Sequence, residues 1–279
     1  MSRPIPHHTS VPGHPGVTVI DGGNARAPLV STLGAFSRLD PFETDRYQRL
    51  AALQERRIAV VETPGWTKGT KLDRTARTEL RAGQFTSIGR AMGESVAAVA
   101  GLQTGSEVSV LGYSLGCSTA TAMATWFVEQ GLCLRHLTLV EPVALTPRTP
   151  SRLVAVNTWE GLFSGRHLRE NRALADLPPA SAANFGDRSR LPEPLHLLWA
   201  LSRGRLPEQV TALARRTPGL GVTLIRGGSS QLVSKKDIRA LGAVLRALGA
   251  DVELRVVTGA HHALWHSRPM VGRLAEAIG

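Results

Sequence analysis

Cysteine is nearly missing from this 279-residue chain, which has two, Cys117 and Cys133. Two thiols cannot build a disulfide framework, and both fall in segments whose neighbours predict burial, so core packing is their expected role. Long apolar runs are missing as well. No stretch approaches the roughly eighteen residues that a membrane helix needs. Residues 1–16, rich in Pro, His and Ser, lack the apolar centre of a secretory signal. The expectation is a cytoplasmic protein with no transmembrane segment, opening on a flexible N-terminal arm over 1–16. Zinc-ligand spacing and the aromatic-rich strands of RNA-binding sheets are also absent. Acids are scarce beside bases: 22 Asp+Glu against 33 Lys+Arg leave +11, almost all of it arginine. Such an excess suits nucleic acid, anionic lipid or an acidic substrate. With no basic run longer than two or three residues, it reads instead as an arginine-biased solvated surface, and no nucleic-acid partner is expected.

What the chain does have is 42% apolar residues, in an order that fits one large α/β domain with an insertion. Short apolar runs at 17–20 and 29–33 flank a turn-rich segment whose Asp-Gly and Gly-Asn steps predict a hairpin, two antiparallel strands opening the sheet. Residues 41–55 have helical character and 57–61 form an apolar strand. Ile88, Met92, Val96 and Val99 mark an amphipathic helix. A strand over 108–111 runs into Gly112-Tyr113-Ser114-Leu115-Gly116 and a small-residue helical segment over 117–126. A buried strand over 137–140 ends at Glu141-Pro142. Residues 146–217 then change character, with eleven arginines, no lysine, six acids and seven prolines. They carry helical patches near Trp159, Leu174 and 197–201, and no strand pattern. Alternation returns with a strand over 222–225 and a helix from Lys235 that puts Ile238, Leu241, Leu245 and Leu248 on one face. Val252, Leu254 and Val256 alternate with charged residues, as in a strand near the sheet edge. Gly259-Ala260-His261-His262 and a last helix over 270–278 follow. The pattern predicts an α/β fold, a mostly parallel central sheet flanked by helices. Its core spans 17–145 and 218–279, interrupted by a helical cap at 146–217.

Reactive groups of an open parallel sheet gather at the carboxyl ends of its strands. This chain puts Gly34-Ala35, Ser114, Glu141 and His261-His262 there. Gly-x-Ser-x-Gly between a strand and a helix is the pattern of a nucleophile elbow, whose glycines allow a tight turn that pushes the serine hydroxyl outward. Leu33-Gly34-Ala35-Phe36 stands where α/β-hydrolases have a His-Gly oxyanion loop, and Glu62-Thr63-Pro64-Gly65-Trp66 looks like their Asp-x-Pro-Gly loop. With the elbow, the insertion, the late Gly-x-x-His and the order serine, acid, histidine, the chain closely resembles that superfamily over nearly its whole length. The match is to serine esterase and lipase-like members with a helical cap.

The resemblance implies a serine hydrolase, without metal or organic cofactor, acting on a small-molecule ester or thioester with an apolar part. It makes Ser114 the nucleophile and gives the oxyanion the backbone N–H groups of Ala35 and Leu115. Trp159, Phe163, Phe185 and Trp199 of the insertion become candidates for the pocket lining. Matching Gly259 makes His262 the base in preference to His261. His266 reads as a helix-start residue, His7, His8 and His14 fall in the arm, and His136, His167 and His196 lack metal-ligand spacing. Two departures stand out. Leu33 replaces the histidine usual before Gly34. Matching Leu232-Val233 puts Ser230 where most members carry the triad aspartate, and a serine cannot supply the charge that steadies an imidazolium. Glu141, at a strand end that some haloalkane dehalogenases use for their acid, is the preferred substitute. Asp237 is the other choice, although its place at a helix start is explained by the helix dipole alone. The departures keep open a non-catalytic member that binds a small apolar ligand or a partner, and the shared triad keeps open an acyltransferase, C–C hydrolase or perhydrolase.

Overall fold

A computed structural model describes residues 6–9, 15–24, 26–34, 39, 41–66, 71–170, 192–262, 264–265 and 267–278. In chain order its elements are β1 (Pro6–Thr9), β2 (Val17–Asn24), β3 (Leu29–Thr32), α1 (Pro41–Gln54), β4 (Arg56–Val61), α2 (Arg74–Arg81), α3 (Thr86–Ala100), β5 (Glu107–Tyr113), α4 (Gly116–Glu129), β6 (Cys133–Val140), α5 (Pro150–Glu170), α6 (Pro192–Ser202), α7 (Leu206–Arg216), β7 (Gly221–Gly227), α8 (Lys235–Ala247), β8 (Asp251–Val257) and α9 (Arg268–Ile278). The strands form one sheet in the order β1-β2-β4-β3-β5-β6-β7-β8. The pairings of β2 with β1 and β4 are antiparallel, and all the others are parallel.

Successive residues of the central strands point to opposite faces, and both faces are apolar because both are covered. Val30, Val110, Leu139 and Leu224 lie in one core with Met92 of α3, Ala120 of α4, Val210 of α7 and Leu241 of α8. Leu29, Leu111, Val140 and Ile225 lie in the other with Leu50 of α1 and Leu274 of α9. Each of the Val, Leu, Ile and Met side chains among them, fully buried, contributes about 1.5–3 kcal/mol of transfer free energy. Helix starts follow the local chemistry. Asp73 caps α2, its carboxylate accepting the Ala76 N–H at 2.6 Å, and Ser234 caps α8 by accepting from Lys236 and Asp237.

The opening of the chain differs from the expected hairpin. β4 lies between β2 and β3, antiparallel to the first and parallel to the second. The Asp-Gly-Gly-Asn stretch belongs to β2 itself, where the register shifts between Ile20 and Asn24. A Cβ on Gly22 would stand 2.3 Å from the carbonyl oxygen of Ala51. The glycine therefore admits the end of α1 against the strand and does not reverse the chain. Within the segment expected to be a flexible arm, Pro6–Thr9 pairs with β2 as an edge strand with exposed side chains, and His8 Nδ1 lies 2.9 Å from Thr18 Oγ1. Cys117 is buried as expected, but Cys133, at the outer start of β6, is exposed. Helix α2 was not among the expected elements.

Three helices, α5, α6 and α7, follow β6, and among the described residues of 146–217 there is no strand. α7 packs on α4 and α8, whereas α6 packs on α2 and α5. Leu174 and Phe185, named above, lie outside the described residues. No helix among those described is long and apolar enough to cross a membrane.

Candidate active site

Ser114 occupies the tip between β5 and α4 with φ at +56°. The residues two positions to either side, Gly112 and Gly116, have to be glycine because the strand end, the helix start and β3 press on one another. A Cβ on Gly112 would meet the Gly116 carbonyl oxygen at 2.5 Å, and one on Gly116 would meet Thr32 Oγ1 at 2.6 Å. The Ser114 N–H donates to the Val140 carbonyl at 2.9 Å, which ties the turn to β6. Leu115 takes helical angles directly before α4, so its N–H belongs to the helix-start groups that intrahelical bonding leaves over. Cys117 sits one turn behind. Burial pushes its thiol well above the usual range and keeps it protonated, so it does not compete as a nucleophile.

Glu141 follows β6 directly, also at positive φ (+53°), and is fully buried. Its N–H donates to the Ile225 carbonyl at 2.8 Å. The carboxylate receives three donors: the Gly227 N–H on Oε1 at 2.5 Å, the Ser230 hydroxyl on Oε2 at 2.6 Å, and His262 Nδ1 on Oε2 at 2.8 Å. His262 Nε2 lies 3.0 Å from Ser114 Oγ. A carboxylate only accepts, so Nδ1 carries the imidazole proton and Nε2 presents its lone pair to the serine hydroxyl. Ser230, at the position where most members of the resembled superfamily carry the triad aspartate, thus donates to Glu141.

The loop after β8 is fixed on several sides. The Tyr113 hydroxyl donates to the His262 carbonyl at 2.7 Å, and burial holds that phenol protonated, far above its usual range. The Tyr113 ring stacks on the imidazole with centroids 5.5 Å apart. From α5, Glu160 Oε1 accepts the His262 N–H at 2.6 Å and Oε2 accepts the Gln231 N–H at 3.0 Å. His261 turns its Nδ1 toward Glu160 Oε1, 3.3 Å away, and stacks on Phe163.

Ser114, His262 and Glu141 are therefore brought into one hydrogen-bonded chain, with Leu115 beside it. Ala35, His14 and His266 lie outside the described residues. Leu33 is buried in the core that faces α1 and α9, where a histidine would have to be satisfied. Asp237 sits in the first turn of α8, its N–H 3.4 Å from the capping hydroxyl of Ser234. Of the aromatic residues considered for the lining, Phe163 reaches His261. Trp159 is 58% exposed, and Trp199 lines a surface groove with Arg81, Leu195, His196 and Arg203. Sequence reasoning missed Tyr113 and Glu160. Glu160 had a signal: it sits on the inward stripe of α5 with Leu153, Val156 and Phe163, a place where an acid needs a reason.

The arrangement can deprotonate a serine hydroxyl as it attacks and hold the resulting imidazolium against a buried carboxylate. Among solved structures the chain is similar to an N-formylmaleamic acid deformylase from Pseudomonas putida, at 16% identity over 98% of this chain and 100% of that one, with a TM-score of 0.61. It is also similar to the thioesterase domain from the curacin biosynthetic pathway (16% identity, 99% of each chain, TM-score 0.54) and to a haloalkane dehalogenase from Bradyrhizobium elkani (14%, 98% of each chain, 0.57). At these identities the likeness is one of fold. No curated protein matches in sequence. The profile of the alpha/beta hydrolase family matches residues 29–273. Over that span, with the parallel sheet and flanking helices described above, the chain belongs to the α/β-hydrolase family.

Proposed function

We propose that this protein is a serine hydrolase that cleaves an ester or thioester with an apolar part through an acyl-enzyme. The observation that carries the reading is the continuous chain from Ser114 Oγ through His262 to Glu141, with both links at hydrogen-bond distance. In this reading His262 removes the proton as Ser114 attacks the carbonyl carbon, and Glu141 fixes the tautomer and balances the imidazolium. His262 then hands the proton to the leaving group, and water, activated by the same imidazole, releases the acid. The oxyanion is received by the N–H of Leu115 and, following the family resemblance, that of Ala35. Each such donor is typically worth about 3–4 kcal/mol in the transition state. In this reading α5 and α6 form a cover over this end of the sheet, and Phe163 of α5 stacks on His261 of the histidine loop.

A non-catalytic role drew on Ser230 and Leu33. The bond from Ser230 to Glu141 weakens that ground, because a site kept only for binding has no need of a buried carboxylate shared by a hydroxyl, an amide and an imidazole. The test is turnover of p-nitrophenyl esters of increasing acyl length, with the matching acyl thioesters. Hydrolysis that favours one chain length and disappears in Ser114→Ala is expected. Wild-type protein that hydrolyses none of them, or Ser114→Ala that retains the wild-type rate, would count against it.

A further inference from the structure

We infer that Glu160, on the inserted helix α5, is a positioning residue that sets the geometry of His262 and of the turn supporting Glu141. The inference rests on the serine-hydrolase reading for its kinetic consequence, though not for its structural one. α5 turns Leu153, Val156, Glu160 and Phe163 inward, and Glu160 is 1% exposed. If the stripe served only to hold the helix down, an apolar residue at 160 would do so without the desolvation of a carboxylate, which costs several kcal/mol unless donors compensate it. The donors are specific. One oxygen takes the backbone N–H of His262, and the other takes that of Gln231. Gln231 directly follows Ser230, the residue that donates to Glu141. A single side chain from the insertion thus fastens the two loops that orient the base and the acid, and does so on their backbones. The remaining contacts agree with that role: His261 lies between Glu160 and the Phe163 ring, so α5 grips the loop before His262 as well.

Fastening by backbone has a further consequence. The His262 carbonyl is held by Tyr113 from the strand that bears Ser114, and its N–H by Glu160 from the insertion. The imidazole is therefore referenced to both the sheet and the cover, and a displacement of α5 would release one of these holds. Glu160 touches neither reacting atom. It acts through the peptide groups of its partners.

The experiment uses Glu160→Gln, in which the side-chain amide turns an NH2 group toward one of the two donors. The His262 Nδ1 proton is followed by NMR on histidine-labelled protein, together with steady-state hydrolysis of p-nitrophenyl acetate. A changed Nδ1 signal, kcat lower by tenfold or more and KM within threefold are expected. Leu153→Ala, on the same stripe, serves as the control: it lowers the Tm and leaves the His262 signal in place. A folded Glu160→Gln protein with an unchanged His262 signal overturns the inference. A changed signal in a protein that, as wild type, hydrolyses no ester leaves the positioning role standing and removes the hydrolase reading. Should Glu160→Gln fail to fold, Glu160→Asp, which keeps the charge and retracts it by one methylene, is read in the same way. If neither variant folds, Glu160 is a folding residue and the inference fails.

Discussion

Ser114 and Glu141 hold their backbones at φ of +56° and +53°, and among the described residues only Glu55 shares that region without being a glycine. Such conformations cost roughly 1–3 kcal/mol each and persist where the surroundings over-determine them. Here the surroundings are specific: the N–H groups of both residues are bonded to neighbouring strands, and the Glu141 carboxylate is filled by three donors. Ser230 is the most exchangeable of those donors. Ser230→Ala should lower kcat about 10- to 100-fold with little change in KM, in line with the roughly 1.5–3 kcal/mol of a hydrogen bond to a charged group. Steady-state kinetics reads it, and a wild-type kcat would mean that Ser230 only fills its turn. The positions of Ser114 and Glu141 were legible because each closes an apolar run, the signature of a strand end, and that of His262 through its spacing from Gly259 after the last strand. The partnership of Ser230 with Glu141 was not. It joins residues 89 apart in sequence, and alignment alone registers position 230 as a missing acid.

At the level of elements, the elbow depends on how closely β3, β5 and α4 meet. Thr32 Oγ1 donates to the Gly116 carbonyl at 2.7 Å, and a Cβ at 116 would stand 2.6 Å from Thr32 Oγ1 and 2.7 Å from the Thr32 carbonyl oxygen. Gly116→Ala should therefore destabilise by about 1–3 kcal/mol through overpacking. For a domain of this size that is a fall of several degrees in Tm, at roughly 2–4 °C per kcal/mol. Differential scanning calorimetry measures it, and an unchanged Tm would show that the packing has room to give. The periodic elements were readable: β5, β6, β7 and the helices α3 and α8 follow their apolar repeats. The opening pair was misread because Asp-Gly-Gly-Asn has the composition of a hairpin turn, while Gly22 is small in order to clear the end of α1. That requirement comes from a neighbour and leaves no local trace. α2 had a readable cap in Asp73, but its eight residues bury little beyond Ala76 and Leu80, too short a stripe to stand out.

For the whole molecule, the sheet order assembles the candidate site. β5, β6, β7 and β8 are successive neighbours, all parallel, so the loops at their carboxyl ends stand side by side. In that row β5 delivers Ser114, β6 Glu141, β7 Gly227 and Ser230, and β8 His262. Residues 148 apart in the chain become hydrogen-bond partners because parallel connections return every strand to the same end. The insertion enters the row from above through Glu160. The charge of +11 has no part in this row: many of its arginines lie at the surface, some in pairs such as Arg90 with Glu94 and Arg216 with Glu129, each worth about 1 kcal/mol or less. The central claim is that Ser114 is a nucleophile activated through His262 by Glu141, and the rate of covalent labelling by a fluorophosphonate tests it most directly, with the adduct located by peptide mass spectrometry. An adduct on Ser114 is expected in wild type and none in Ser114→Ala. Labelling slows at least 100-fold in Glu141→Gln and keeps the wild-type rate in Asp237→Asn. Absence of labelling in wild type, or a wild-type rate in Glu141→Gln, would contradict it.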